Sequence, residues 1–247
     1  MSIKLIMPMA GDGNRFKEKG YDIPKPLVPV KGIPMFQYAE QQIGIDFDER
    51  IFIVRKDHNI TDKIKDLYSN ATVIELDQLT EGTACTLYKA KELFAEGDSV
   101  FVSNCDQSVA WDSNKVRTII DNGIDGLIAT FTCPDKNPKW SYAKTVADKV
   151  VEVAEKKAIS DRATVGYYYW RDAKQMFRNI DQMIEANDRV NNEFYTCPVY
   201  NYTIKEGANV CAFDVVSMQG IGTVSYTHLR AHETREDRGC RRRGGKK

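Results

Sequence analysis

Between an apolar opening run and a proline-rich stretch, residues 11–25 read "GDGNRFKEKGYDIPK". Glycines placed just after a strand let backbone N–H groups close around phosphate oxygens, an approach that side chains would obstruct. Ala10, Gly11 and Gly13 would supply that backbone, and Arg15 and Lys25 the positive charge. Arg15 offers a planar fork to phosphate oxygens, whereas Lys25 acts as a movable point charge. Prolines at 24, 26 and 29 stiffen the segment that carries Lys25. The string is not a Walker loop, which needs G-K-[ST], nor G-x-G-x-x-G, because position 16 is Phe. Two glycines alone fit a turn with solvated charges equally well. The longer run through "PLVPVKGIPM" makes the phosphate reading more specific.

A second group of residues closes the string "VFVSNCDQ". Asp106 ends a buried strand, where a carboxylate is costly unless it meets a partner or a cation. A hard oxygen ligand there suits Mg2+, which takes one or two carboxylates and completes its shell with phosphates and water. Capping of the following loop is the alternative for Asp106. Cys105 should face the opposite side of the strand. Further along, Gly82 and Thr83 stand at a helix start, where Thr83 can cap. Glu155 and Lys156 are adjacent on a strand, so both reach one ligand only if the strand ends or bulges there. Otherwise they form a solvated strand end. Tyr142, Tyr195 and Tyr200 read as core, Asn201 could reach a ligand, and His58 reads as an exposed residue before a helix.

The elements that must hold these residues alternate between strand and amphipathic helix, the mark of a mainly parallel sheet covered by helices. "IKLIMPM", "RIFIVR", "ATVIEL", "DSVFVSNCD" and "DGLIATFTC" read as strands, and "PMFQYAEQQIG", "NITDKIKDLYS" and "WDSNKVRTIIDNG" as helices. After Pro134 the rhythm changes. "WSYAKTVADKVVEVAEK" reads as two strands turning at Ala147 and Asp148, followed by the strand "ATVGYYYWR". The expected fold class is α/β: a mainly parallel twisted sheet flanked by helices, with a small antiparallel extension in the second half. Ligands of such sheets lie beyond the carboxyl ends of the parallel strands. Residues 11–25 and the end of "VFVSNCDQ" should therefore share one crevice.

Composition narrows the class. Of the 247 residues 42% are apolar and 28% charged, ordinary for a globular chain. No apolar stretch nears the roughly 20 residues of a membrane helix, and the N-terminus does not read as a secretory leader. Six scattered cysteines without a C-x-x-C pair point to reduced thiols and a cytoplasmic setting. The zero net charge hides two halves. Residues 224–247 carry eight Lys or Arg against three Asp or Glu, leaving 27 basic and 32 acidic residues in the body. The tail could be read as an arginine-rich arm for nucleic acid. However, "VSYTHLRAHET" resembles the read-through translation of a transposon adapter used to prepare sequencing libraries. The expected organisation is one domain over residues 1–223, truncated at its C-terminus, and a non-native basic tail over 224–247.

The string "MPMAGDGNRFKEKGYDIPKPLVPVKGIPMF" resembles the signature of the sugar-1-phosphate nucleotidyltransferases, the nucleoside-diphosphate-sugar pyrophosphorylases. "TEGTACTLYKAKELF", "VSNCDQ", "VAEKKAISDRATVGYYYW" and "FYTCPVYNYTIKEGANV" follow in the family's order, over about residues 3 to 223. The resemblance implies a Rossmann-like, GT-A-type fold and a reaction between a nucleoside triphosphate and a sugar 1-phosphate. It implies Mg2+ on Asp106, nucleotide binding by Ala10, Gly11, Gly13, Gly82 and Thr83, and catalysis by Arg15 and Lys25. Glu155 would bind sugar hydroxyls and Lys156 the sugar's phosphate. One landmark departs: where many relatives place a second metal-binding aspartate before a late G-T motif, this chain has Gly220, and Asp161 or Asp214 would have to substitute. Neither nucleic acid nor membrane is an expected partner, and homo-oligomer formation stays open. The rival readings are a cytidylyltransferase acting on a non-sugar phosphate alcohol, a glycosyltransferase of the related fold, and a non-catalytic nucleotide sensor. A glycosyltransferase would normally show D-x-D where this chain has "NCD".

Overall fold

The computed structural model describes residues 2–18 and 20–222. Its central strand, β1 (Ile3–Pro8), buries Leu5, Ile6 and Met7 completely, as an uninterrupted apolar run requires when both faces of a sheet are covered. After β1 come α1 (Asn14–Lys17), the short hairpin β2 (Pro29–Val30) and β3 (Ile33–Pro34), then α2 (Met35–Gln41). The units β4 (Glu49–Arg55), α3 (Thr61–Leu67), β5 (Thr72–Leu76), α4 (Thr83–Tyr88) and β6 (Ser99–Ser103) follow. β1 pairs in parallel with β4 and β6, and β4 in parallel with β5. The first half is thus the parallel sheet that its pattern predicts.

The second half is not a small extension. β7 (Gln107–Ala110), α5 (Ser113–Asp121), β8 (Gly126–Thr132), β9 (Ser141–Val146), β10 (Lys149–Glu155) and β11 (Arg162–Trp170) lead to α6 (Ala173–Glu185), α7 (Val199–Lys205), β12 (Val210–Asp214) and β13 (Ser217–Gly220). The nine-stranded sheet runs β5-β4-β1-β6-β11-β8-β12-β10-β9. β11 lies antiparallel to both β6 and β8, so the direction switches at the middle of the sheet. The cause is the connection. Parallel neighbours need a crossover, usually helical, whereas β8 reaches β11 through the β9–β10 hairpin alone. That hairpin turns at Ala147 and Asp148, both at positive φ (48° and 63°), the conformation a two-residue turn of this twist demands. The fold is therefore α/β with a mixed sheet.

Alternation along the strands divides the core into layers. Val100 and Val102 of β6, Ile128 of β8 and Trp170 of β11 pack with Leu87 of α4 and Phe177 of α6. Phe101, Leu127, Tyr167 and Tyr169 face the other way, onto Val116 and Ile120 of α5. Asp112 and Asp172 cap α5 and α6, accepting the N–H of Lys115 and of Gln175, each at 3.0 Å. His58, expected at the surface, is buried instead. Burial pushes its pKa down, and its Nδ1 has no partner among the described residues. No helix of the described residues is long and apolar enough to cross a membrane. The tail at 224–247 lies outside the described residues, so the domain boundary at 223 stays an expectation.

Tyr142 and Tyr200 are fully buried, as their aromatic setting predicts. The Tyr200 ring stacks on Trp170 at 4.0 Å, and its hydroxyl lies 2.8 Å from the Tyr169 carbonyl and 3.0 Å from that of Leu127. Tyr200→Phe keeps the ring and removes that donor. It should lower the unfolding free energy by about 1–2 kcal/mol, read as a lower urea midpoint with an unchanged slope. An unshifted midpoint would show that the hydroxyl contributes nothing.

Candidate functional site

The carboxyl ends of β1 and β6 open on the same edge of the sheet because the two strands are parallel neighbours. Beyond β1 the chain passes Ala10, Gly11 and Asp12 to Gly13, which opens α1. A Cβ built on Gly11 would meet nothing within 4 Å, and one on Gly13 would stand 3.1 Å from Lys25 Cβ. The loop's backbone therefore faces open space on one side and Lys25 on the other. Lys25 begins a short 3-10 turn, Lys25–Leu27, set between Pro24 and Pro26. Its ammonium forms an ion pair with the carboxylate of Asp106, which lies just past β6. Gly11, Gly13, Lys25, Thr83, Asn104 and Asp106 line a cavity of about 250 Å³. Arg15 lies in α1, and its side chain is outside what the structure describes.

Two supports of this cavity carry no local sequence signal. Arg55, at the end of β4, pairs with Asp12 and with Asp57, so the glycine loop is tied to the neighbouring strand. The pairing of β13 with β7 carries the chain onto Asp106, whose carbonyl accepts the N–H of Ile221 (2.9 Å) and of Gly222 (3.1 Å). A Cβ on Gly222 would lie 2.5 Å from Asp106 Oδ2. Only glycine fits beside the carboxylate. Cys105, expected to face the opposite side of the strand, lies past the end of β6: it borders this cavity and also joins an apolar cluster with Met7 and Phe52, and burial pushes its thiol up to about 12. Such a thiol is no nucleophile.

Thr83 and Gly11 also line a second cavity, of about 480 Å³, with Ala10, Thr80, Gly82 and Arg189. The glycine at 82 has a different reason from the one its sequence suggests. Its φ is 137°, and a Cβ there would stand 2.3 Å from the Phe194 carbonyl oxygen and 2.5 Å from the Phe194 nitrogen. The backbone of Phe194 lies against the turn, donating its N–H to Glu81 (2.9 Å) and accepting that of Ala84 (3.0 Å). Thr83 does not cap α4 with its side chain. Its hydroxyl oxygen accepts from the Thr196 N–H (3.1 Å) and lies 3.0 Å from the Thr196 hydroxyl. The guanidinium of Arg189 pairs with Glu81 and lies 4.0 Å from the Phe194 ring centroid.

Thr83 and Asn104 continue into a third cavity, of about 230 Å³, lined also by Gln107, Trp140, Glu155 and Tyr195. Burial raises the pKa of Glu155, and a hydrogen bond from the Ser141 hydroxyl opposes that shift. Strand alternation would send Lys156 to the opposite face, but Lys156 stands just past β10 at φ 54° and its N–H donates to the Trp140 carbonyl (3.0 Å). This left-handed step redirects the side chain, whose ammonium donates to the Tyr195 hydroxyl. Tyr195 is therefore part of the cavity and not of the core. Asn201, a candidate ligand residue, instead brackets the Val153 backbone with two 2.9 Å hydrogen bonds.

Two sequence candidates do not reach the crevice. Asp214 is held by the Thr130 hydroxyl (2.7 Å) and Arg162 (3.2 Å), and Asp161 is exposed beyond the sheet's other strands. Neither lines any of the three cavities, and the Lys156 ammonium reaches the third only through its contact with Tyr195. Among the described residues no three His, Cys, Asp or Glu side chains cluster as a metal site, leaving Asp106 as the carboxylate that faces Lys25.

A loop of backbone amides, an ammonium and a carboxylate beside two further cavities is chemically suited to a phosphate-bearing ligand. Residues 4–224 match the Nucleotidyl transferase family, and the chain belongs to it. Among solved structures, the nucleoside-diphosphate-sugar pyrophosphorylase of Vibrio cholerae RC9 superposes with a TM-score of 0.77 at 22% identity, over 91% of this chain and 98% of that one. The inositol-1-phosphate CTP transferase of T. maritima follows at 0.73 and 14%, with 93% of each chain covered. A UDP-glucose pyrophosphorylase complexed with UDP-glucose gives 0.72 and 15%, over 96% of this chain and all (100%) of that one. No sequence among curated proteins matches the chain significantly.

Gly82→Ala tests the packing of the turn on Phe194. The added Cβ must displace backbone, so the variant should lose about 2–4 kcal/mol of stability, in the range of other overpacked or strained positions. Thermal unfolding reads the loss directly. A melting temperature equal to that of the parent would show that the turn and residue 194 are not in contact.

Proposed function

We propose that this nucleotidyltransferase joins a nucleoside triphosphate to a sugar 1-phosphate, giving a nucleoside-diphosphate sugar and pyrophosphate. The observation that supports the reading is the contact of Lys25 with Asp106 in a cavity that shares Gly11 and Thr83 with one neighbouring cavity and Thr83 and Asn104 with the other. The attacking phosphate monoester has a second pKa of about 6 and is largely dianionic at neutral pH. It needs no general base. The reaction lacks charge neutralisation and alignment, the contributions proteins make to phosphoryl-type transfers.

Each residue then has a task. The amides of Ala10, Gly11 and Gly13 and the guanidinium of Arg15 hold the triphosphate, and Gly82 and Thr83 border its base. Lys25 leaves Asp106 for the reacting phosphates and stabilises charge as pyrophosphate departs. Glu155 accepts hydrogen bonds from the acceptor's hydroxyls, and Lys156 holds the acceptor phosphate against the repulsion of the triphosphate. A divalent cation of the Mg2+ type fits the donor set, since one carboxylate with substrate phosphates is its usual protein site. Asp106 would hold it. When bound, it neutralises negative charge on the phosphates of the nucleotide.

The experiment combines the protein, Mg2+, each of UTP, dTTP, CTP and GTP, and a panel of acceptors, with pyrophosphate release as the readout. The panel includes hexose 1-phosphates, amino-sugar 1-phosphates, phosphocholine and water alone. At least one sugar 1-phosphate should support turnover. Lys25→Ala should lower that turnover by about a hundredfold or more, the scale for removing one preorganised charge, with its melting temperature little changed. Release with phosphocholine and no sugar phosphate would move the reading to a cytidylyltransferase of phosphate alcohols. No release with any pair, or a fully active Lys25→Ala, would reject nucleotidyl transfer by this crevice.

A further inference from the structure

Lys156 is anchored at its backbone, but its ammonium must be aimed. The N–H of Lys156 is held by Trp140 at 3.0 Å, and the left-handed φ of 54° fixes where the side chain leaves the strand. At its far end the ammonium donates to the Tyr195 hydroxyl and lies 4.4 Å from the centroid of the same ring. The tyrosine thus holds the charge through its hydroxyl, a charge-assisted contact that strengthens away from bulk water. The acidic groups around the pair are Glu155, on the strand that ends at Lys156, and Glu193, two residues before Tyr195.

Tyr195 itself does not hang from a free loop. Residues 193–197 are fastened to the turn that borders the second cavity: Phe194 bonds Glu81 and Ala84, and Thr196 bonds the Thr83 hydroxyl. Glu193 lines the second cavity, whereas Tyr195, Thr196 and Cys197 line the third. The segment is a shared wall between the two subsites.

Resting on the nucleotidyltransferase reading above, we propose that Tyr195 is a positioning residue for the acceptor. From the wall fixed at Gly82 and Thr83, its hydroxyl holds the Lys156 ammonium where the acceptor's phosphate arrives. The ammonium carries three N–H donors, so it meets the phosphate while its bond to the Tyr195 hydroxyl persists, and no covalent bond changes.

Tyr195→Phe keeps the ring and removes only the hydroxyl. It should raise the KM for the active sugar 1-phosphate about tenfold, the scale of one charge-assisted hydrogen bond. The KM for the triphosphate should stay within about twofold, because the wall's contacts with residues 81–84 run through backbone and Thr196. On a Lys156→Met background the same change should add nothing. A second readout needs no turnover: acetylation of Lys156 by acetic anhydride, followed by mass spectrometry with Lys139 as the internal reference. Tyr195→Phe should speed that labelling several-fold. Unchanged labelling, an equal rise in both KM values, or full additivity with Lys156→Met would each overturn the proposal. If the parent releases no pyrophosphate with any substrate pair, the nucleotidyl-transfer reading falls, and the labelling rate still decides whether Tyr195 holds Lys156.

Discussion

The architecture turns on one ion pair between residues 81 positions apart, Lys25 and Asp106. Asp106 lies just past β6 in the parallel half of the sheet, and Lys25 opens a short 3-10 turn that reaches it; both side chains are partly exposed. Lys25 is delivered by a proline-braced turn that packs against Gly13. Asp106 is pinned through its carbonyl by Ile221 and Gly222, and room for its carboxylate exists because residue 222 has no side chain. The pair brings a cationic and an anionic side chain into one crevice beside the glycine loop.

Around that pair the mixed sheet divides the work. The parallel half and its glycine loop border the larger cavity, while the antiparallel half brings β10 and β11 to the smaller one. Thr83 lines all three cavities, and its hydroxyl bonds the wall at Thr196. The turn at residues 81–84 and the segment at residues 193–197, which border the two cavities, are thus joined by hydrogen bonds between named atoms.

Much of this was legible in the sequence because it is written in local patterns. The buried strands β1 and β6, the helix α5, and the turn at Ala147 and Asp148 each follow from a short window of residues. So did the meeting of Lys25 with Asp106, since parallel neighbours share a carboxyl edge. What escaped depends on partners distant in the chain. The antiparallel setting of β11 follows from a connection that contains a hairpin and no helix. Gly82 is glycine because the Phe194 backbone lies against it, and Thr83 bonds Thr196 where sequence offered only a base or a cap. Arg55 shows no motif; only its approach to Asp12 reveals its part. Tyr195 looked like core because aromatic residues usually are, and nothing local marks it as the partner of Lys156.

The most direct test of the central pair is calorimetric titration of the active triphosphate, with and without Mg2+, into the parent protein and Asp106→Asn. If Asp106 carries the cation against the nucleotide's phosphates, Mg2+ strengthens binding to the parent by about tenfold or more and adds nothing to Asp106→Asn. An equal Mg2+ gain in both proteins would contradict the account, because the cation would then be held without the carboxylate that Lys25 faces.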